Sequence, residues 1–154
     1  MGLRSERSKP RLLVLGSGFA GFSLLSRLRR GLFDATLLSP RNYFLFTPLL
    51  PSAVAGTVEF RSILEPVRRR RRDVRVIEGR AEGVEWEARQ VRCVSAVGEE
   101  RFVLPYDLLA IAVGAAVGDH GVPGAREHAL TLASVEDARA IRRGVLDQFA
   151  RADV

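Results

Sequence analysis

Residues Arg11–Gly21 read RLLVLGSGFAG, and the order of their parts sets the fold. Arg11–Leu15 is a short apolar run stopped at once by glycine, the pattern of a buried strand. Gly16-Ser17-Gly18-Phe19-Ala20-Gly21 then fits G-x-G-x-x-G. Alone that pattern is weak. Between a strand and a helix it has a mechanism: the first glycine permits the tight turn, the second lets a pyrophosphate approach the backbone, and the third lets helix and strand pack closely. The helix N-terminus adds free N–H groups and a partial positive charge. Phe19–Arg30 reads as that helix, with Leu24, Leu25 and Leu28 on one face and Gly31 suited to its C′ position. Ala35–Leu38 is a second strand, which completes a β-α-β unit of about 30 residues. A glycine-rich turn without a ligand is the bland alternative; the complete strand–loop–helix–strand frame favours dinucleotide binding over it.

Further along, Pro48 and Pro51 rule out one regular element through residues 42–60. Long irregular segments in compact domains are often functional. Ser62 and Glu65 have capping-box spacing before a short helix, with Pro66 in its first turn. Val74–Ile77 is a third strand. Ala81–Trp86, Gln90–Ser95 and Arg101–Leu104 form an antiparallel meander with turns at residues 87–89 and 98–100. The apolar run Leu108–Val113 is a further strand, ending at Gly114. A last helix starts near Ser134, with Asp137 at capping spacing and an apolar stripe of Ala138, Ile141, Val145, Leu146 and Phe149. The strands at Arg11, Ala35, Val74 and Leu108 are expected in one parallel sheet, with residues 81–104 as a separate meander. The class is α/β: a Rossmann-like, FAD/NAD(P)-binding three-layer domain over residues 11–154, preceded by a disordered basic tail over residues 1–10.

Composition supports this class and excludes others. The 154 residues are 47% hydrophobic and 27% charged, ordinary for a globular protein. No apolar run approaches the ~18 residues of a spanning helix. Cys93 is the single cysteine, which excludes an internal disulfide, a CxxC redox pair and a Cys-rich zinc site. His120 and His128 lack spaced partners and read as solvated loop residues, so no metal site is expected. The formal net charge is +6, nearly all from arginine. The run Arg68–Arg72 reads first as the solvated end of a helix, where cations complement the dipole. No groove-reading or aromatic-rich motif accompanies it, so no nucleic-acid partner is expected.

One position departs from the dinucleotide fingerprint. An acidic residue is expected about 20 residues after the glycines, on the adenosine ribose. Here Ser39-Pro40-Arg41 follows the second strand. The serine offers a neutral hydrogen bond, and Arg41 suits a 2′-phosphate, so local chemistry leaves FAD and NADP both open.

The segment Ser39–Glu59, SPRNYFLFTPLLPSAVAGTVE, is more specific than the glycines. It resembles the corresponding segment of type II NADH:quinone oxidoreductases, the single-chain alternative NADH dehydrogenases. The Ser-Pro-Arg form most resembles the mitochondrial branch, in which serine replaces the usual acid. The resemblance extends over residues 11–150. It implies that Gly16, Ser17, Gly18, Phe19, Ala20 and Gly21 hold the FAD pyrophosphate, and that Ser39, Pro40 and Arg41 lie on the adenosine side. It implies that the backbone of Ala81 meets the adenine, and that Thr47, Pro48 and Leu49, with Ala112, Val113 and Gly114, pass near the flavin. It also implies NADH and a quinone as reactants, with no acid–base side chain from this chain as a catalytic residue.

Family members are considerably longer, with a second glycine motif for NADH, a returning segment that completes the FAD domain, and an amphipathic C-terminal part that meets the membrane surface. The chain is therefore expected to be an N-terminal portion, inactive alone. The full protein is expected to be peripheral on the mitochondrial inner membrane and homodimeric, with a bacterial cytoplasmic membrane face or the cytoplasm as the alternative. Two other readings stand beside this one. The first is another two-dinucleotide flavoprotein, of the apoptosis-inducing-factor or sulfide:quinone type. The second is a non-catalytic, truncated nucleotide-binding module. Retained flavin separates the module from an empty fold, and NADH turnover with a quinone separates enzyme from module.

Overall fold

The computed structural model describes residues 9–152. The expected basic tail lies, up to residue 8, outside the described residues; the Pro10 carbonyl already accepts the Asp34 N–H at 3.0 Å. The chain forms two compact units. One comprises the residues up to Phe44 with Pro66–Gly114, the other Leu45–Glu65 with the residues from Ala115 onward.

The first unit is built on a six-stranded sheet. Its strands are β1 (Arg11–Leu15), β2 (Asp34–Ser39), β5 (Arg75–Glu85), β6 (Gln90–Ser95), β7 (Arg101–Pro105) and β8 (Leu108–Ile111), in the order β7-β6-β5-β2-β1-β8. The pairs β1–β2, β1–β8 and β2–β5 are parallel, as the sequence leads one to expect, and β5–β6 and β6–β7 are antiparallel. Alternation along β1 divides the core. Leu12 and Val14 join Ala35, Leu37, Val67, Val74 and Val76 beneath Leu25 of the first helix, α1 (Phe19–Arg27). Leu13 and Leu15 face the other way, onto Leu38, Val91, Cys93 and Tyr106. The layers are therefore helix, parallel sheet and meander. Each strand buried on both faces reads as an unbroken apolar run.

The meander is not separate, which corrects the reading from sequence. Val74–Ile77 and Ala81–Trp86 are parts of one 11-residue strand, β5, parallel to β2 at its start and antiparallel to β6 at its end. The strand bends by a register shift between Ala81 and Gly83, which lets it leave one layer for another. Tight packing at Gly79, where a Cβ would meet the Val94 carbonyl oxygen at 2.6 Å, hides this continuity in a sequence that reads glycine as an end.

Two other boundaries differ, and one arginine is buried. The α1 helix ends at Arg27, not Arg30, with Leu28 extended. The Leu28 carbonyl is taken by Arg71 Nη1 at 3.1 Å, so the chain turns out of the helix onto a buried guanidinium, and Gly31 (φ +82°) serves the following turn. The strand β8 stops at Ile111 and not at Val113. It is an edge among the described residues, with Leu108 and Ile111 about half exposed. The arginine run is mostly solvated, as expected, on and just after α3 (Val67–Arg70), but Arg71 is buried at 4% exposure. It forks onto both Asp73 oxygens at 2.8 Å.

Short strands β3 (Tyr43–Leu45) and β4 (Leu64–Pro66) carry the chain out of the first unit and back. In the second unit Thr47–Leu49 is a 3₁₀ turn leading into α2 (Leu50–Ala55), which confirms that no single element crosses residues 42–60. The expected capping box at Ser62 and Glu65 does not form. Phe60–Ile63 is a 3₁₀ turn, Ser62 N–H bonds Glu59 O at 2.9 Å, and no side chain caps α3. Pro66 disfavours the helical region for the residue before it, so the helix starts after the proline. The short helix α4 (Ala125–His128) precedes the long α5 (Val135–Ala152), which packs on α2. Its capping box is real: Asp137 N–H donates to Ser134 Oγ at 3.0 Å, and Asp137 Oδ2 accepts the N–H groups of Ala133 and Ser134. The apolar stripe is only partly used. Ala138 is buried, whereas Val145, Leu146 and Phe149 are exposed.

Candidate dinucleotide-binding site

The glycine loop sits where β1 ends in the middle of the parallel sheet. Gly16 N–H donates to Leu38 O at 2.8 Å, and Ala112 N–H donates to Leu15 O at 2.8 Å. The loop is thus tied to the ends of both neighbouring strands. Gly16 has φ +101°, and a Cβ there would run into the Ala112 carbonyl oxygen; one at Gly21 would run into the Gly16 carbonyl oxygen. These two glycines close the turn and bring α1 against β1.

Gly18 differs in kind. Its φ of −72° suits any residue, and an added Cβ would meet nothing within 4 Å. It is the N-cap of α1; no side chain caps that terminus and no acidic residue lies in its first turn. The space over Gly18 is therefore a cradle that a Cβ would begin to fill, in front of a helix N-terminus free of competing anions. That suits a pyrophosphate.

Beside the cradle lies a buried hydroxyl network. Ser17 Oγ and Ser39 Oγ are 2.9 Å apart, and Ser17 Oγ also donates toward the carbonyls of Tyr43 (2.9 Å) and Arg41 (3.2 Å). Ser39 Oγ accepts the Arg41 N–H at 3.2 Å. Both serines are buried, so their hydroxyls hold the loop and the 39–43 turn together, while Pro40 and Arg41 are exposed. This clamp is not apparent from the sequence; its only signal is a serine inside the glycine loop and another at the end of the next strand. Asn42 Nδ2 donates to Glu78 Oε1 at 2.8 Å and braces the same turn against β5.

Of the residues singled out from sequence, the first unit brings Gly16–Gly21, Ser39–Arg41 and Ala112 together at the ends of β1, β2 and β8. Exposed Val113 and Gly114 follow directly. Ala81 stands three residues beyond Glu78, the last β5 residue paired with β2. Thr47, Pro48 and Leu49 form the 3₁₀ turn of the second unit. Phe19 and Phe44, which flank these segments, meet edge-to-face at 5.0 Å, and Phe22 stacks on Phe44 at 4.5 Å.

The profile of the pyridine nucleotide-disulphide oxidoreductase family matches residues 10–152. The chain belongs to that family. Within it, the chain is 44% identical over 95% of its length to the external alternative NAD(P)H-ubiquinone oxidoreductase B1, mitochondrial, of Solanum tuberosum. It is 40% identical over 97% of its length to the external alternative NADH-ubiquinone oxidoreductase, mitochondrial, of Yarrowia lipolytica. It spans 27% of each of those proteins. The solved structure of NDH2 from Plasmodium falciparum in complex with NADH superposes with a TM-score of 0.89 at 32% identity, covering 95% of this chain and 30% of that one. The resemblance to type II NADH:quinone oxidoreductases read from Ser39–Glu59 is borne out, and so is the α/β, Rossmann-like fold of the FAD/NAD-binding family.

Proposed function

We propose that this chain supplies the FAD-binding part of a flavoprotein that oxidises NADH and reduces a quinone. The observation that carries the reading is the open cradle over Gly18, held between two glycines that packing requires. Its support from relatives is that those matching at 40–44% are named NADH- or NAD(P)H-ubiquinone oxidoreductases. Phe19, Ala20 and Gly21 present the first helical turn to the pyrophosphate, and the Ser17–Ser39 clamp keeps the exposed backbone of Pro40 and Arg41 in place for the adenosine, with Ala81 beyond it. Thr47–Leu49 and Ala112–Gly114 are assigned to the flavin side. When bound, FAD supplies the hydride acceptor and the electron pair for the quinone; the protein supplies binding and orientation. The reading includes peripheral placement on the mitochondrial inner membrane and homodimeric association. No helix among the described residues is long and apolar enough to cross a membrane.

The test is flavin binding at equilibrium. The purified chain, titrated with FAD, is expected to bind it weakly but saturably, read as a change in flavin fluorescence. The Gly18→Val variant is expected to show the same circular dichroism and no saturable change. Equal binding by the two proteins, or none by either, would count against the assignment.

A further inference from the structure

The acid that the dinucleotide fingerprint places at the end of β2 is absent, and Ser39 does not replace it. A ribose presents two neighbouring hydroxyls, and a carboxylate has lone pairs enough to accept from both. Ser39 has one hydroxyl, buried at 3% exposure. The network fixes what that hydroxyl does. The Tyr43 and Arg41 carbonyls only accept, so the Ser17 proton goes to them. The 2.9 Å contact between Ser17 Oγ and Ser39 Oγ then uses the Ser39 proton. The Arg41 N–H takes one Ser39 lone pair at 3.2 Å. No proton and a single lone pair remain for a ligand.

One strand over stands a carboxylate. Glu78 is the register partner of Ser39 where β2 pairs with β5, about 4.8 Å away across the ladder. Two residues earlier on each strand, Leu37 and Val76 join the cluster beneath Leu25 of α1. Alternation therefore returns Ser39 and Glu78 to that same face. Glu78 is exposed. Asn42 Nδ2 donates to its Oε1 at 2.8 Å and holds the carboxylate beside the 39–42 turn, while Oε2 has no hydrogen-bond partner among the described residues. Glu82, the next acid along β5, is instead engaged by Arg101 at 3.3 Å. Across the sheet the order is Gly18 after β1, Ser39 ending β2 and Glu78 in β5, with Ala81 three residues further along β5. A nucleotide with its pyrophosphate at Gly18 and its adenine at Ala81 carries its ribose past Ser39 and Glu78.

We propose that Glu78 is the specificity-determining acid of this site, accepting the adenosine ribose hydroxyls that Ser39 leaves unmet. The inference rests on the FAD reading above. It moves the acid from the strand that the fingerprint names to the strand beside it. The probes are FAD and its 2′,3′-dideoxyadenosine analogue, each titrated into the chain and read at equilibrium by flavin fluorescence. The parent is expected to bind FAD about 10-fold more tightly than the analogue, the worth of a hydrogen bond to a charged group. Glu78→Gln keeps an oxygen for Asn42 and loses the charge. It is expected to weaken FAD by several-fold and to leave the analogue unchanged. Glu78→Ala is expected to abolish the preference between the two ligands. Ser39→Ala, which opens the clamp, is expected to weaken both ligands alike and to keep the preference. Circular dichroism and thermal melts confirm that each variant folds. A preference that survives Glu78→Ala, or is lost in Ser39→Ala alone, would overturn the proposal. Equal losses of both ligands in Glu78→Gln would also overturn it and would leave Glu78 a brace of the turn. A parent that binds the two ligands equally overturns the proposal and leaves the FAD reading standing, whereas saturable binding of neither sinks that reading.

Discussion

A side chain at position 18 has somewhere to go, and at positions 16 and 21 it does not. The glycine pattern implies three similar demands, and the structure separates them into two packing requirements and one open space. Gly21→Ala, which places a Cβ on the Gly16 carbonyl, is expected to lower stability by about 1–3 kcal/mol, seen as a drop in melting temperature. Gly18→Val is expected to leave that temperature unchanged and to lose flavin. The same melting loss in both variants would mean that Gly18 is a packing glycine like the others. The glycines were legible because each does a job tied to a fixed offset. Arg71 was not. Five consecutive arginines give no sign of which one turns inward; that depends on α3 ending at Arg70 and on Asp73 standing two residues on.

At the scale of elements, one signature occurs twice with opposite outcomes. Ser134 and Asp137 cap α5, while Ser62 and Glu65 cap nothing, because Pro66 follows the second pattern directly and disfavours the helical region at Glu65. Ser134→Ala is expected to destabilise by about 1 kcal/mol, and Ser62→Ala by much less; a comparison of urea midpoints distinguishes them. Two carboxylates also tie segments together. The Arg71 guanidinium holds Asp73 down to about 2, and the Arg11 side chain and N–H hold Asp107 down to about 2, both from 3.8. A folded-state pKa below the unfolded value gives stability that is complete above about pH 4 and is lost as pH falls toward 2. Melting temperature is therefore expected to be level from neutral pH to about pH 5 and to fall steadily below about pH 4. Arg71→Met should start lower and fall less steeply. A parallel acid profile in that variant would show that Asp73 is not coupled to Arg71.

For the whole molecule, the layered order was readable from apolar periodicity, and so was the parallel arrangement of β1, β2, β5 and β8. The continuity of β5 was not, because a strand that serves two layers must bend, and the glycines that allow the bend look like termini. The sequence contains one G-x-G-x-x-G motif, and we assign it to FAD. The 154-residue chain alone is accordingly expected to bind FAD weakly and to show no NADH:quinone turnover, because its single glycine motif is taken by the flavin and leaves the hydride donor unpositioned. Steady-state NADH oxidation above a free-flavin control, with quinone present, would contradict this.

Cys93, the only thiol, lies with no exposed surface in β6, against the layer formed by β1 and β2. Burial also pushes its pKa up to about 11. A thiol reagent therefore reacts with this side chain only when the meander lifts from the sheet, so the molecule carries a built-in chemical clock for that opening. Labelling is expected to be slow and first order in reagent while reclosing is fast, and to become independent of reagent once capture outpaces it. The first regime yields the free energy of opening and the second its rate, without any introduced probe. If bound FAD holds the ends of β2 and β5 together, saturating flavin should slow the clock, and an unchanged labelling rate would show that the meander opens without regard to the nucleotide site.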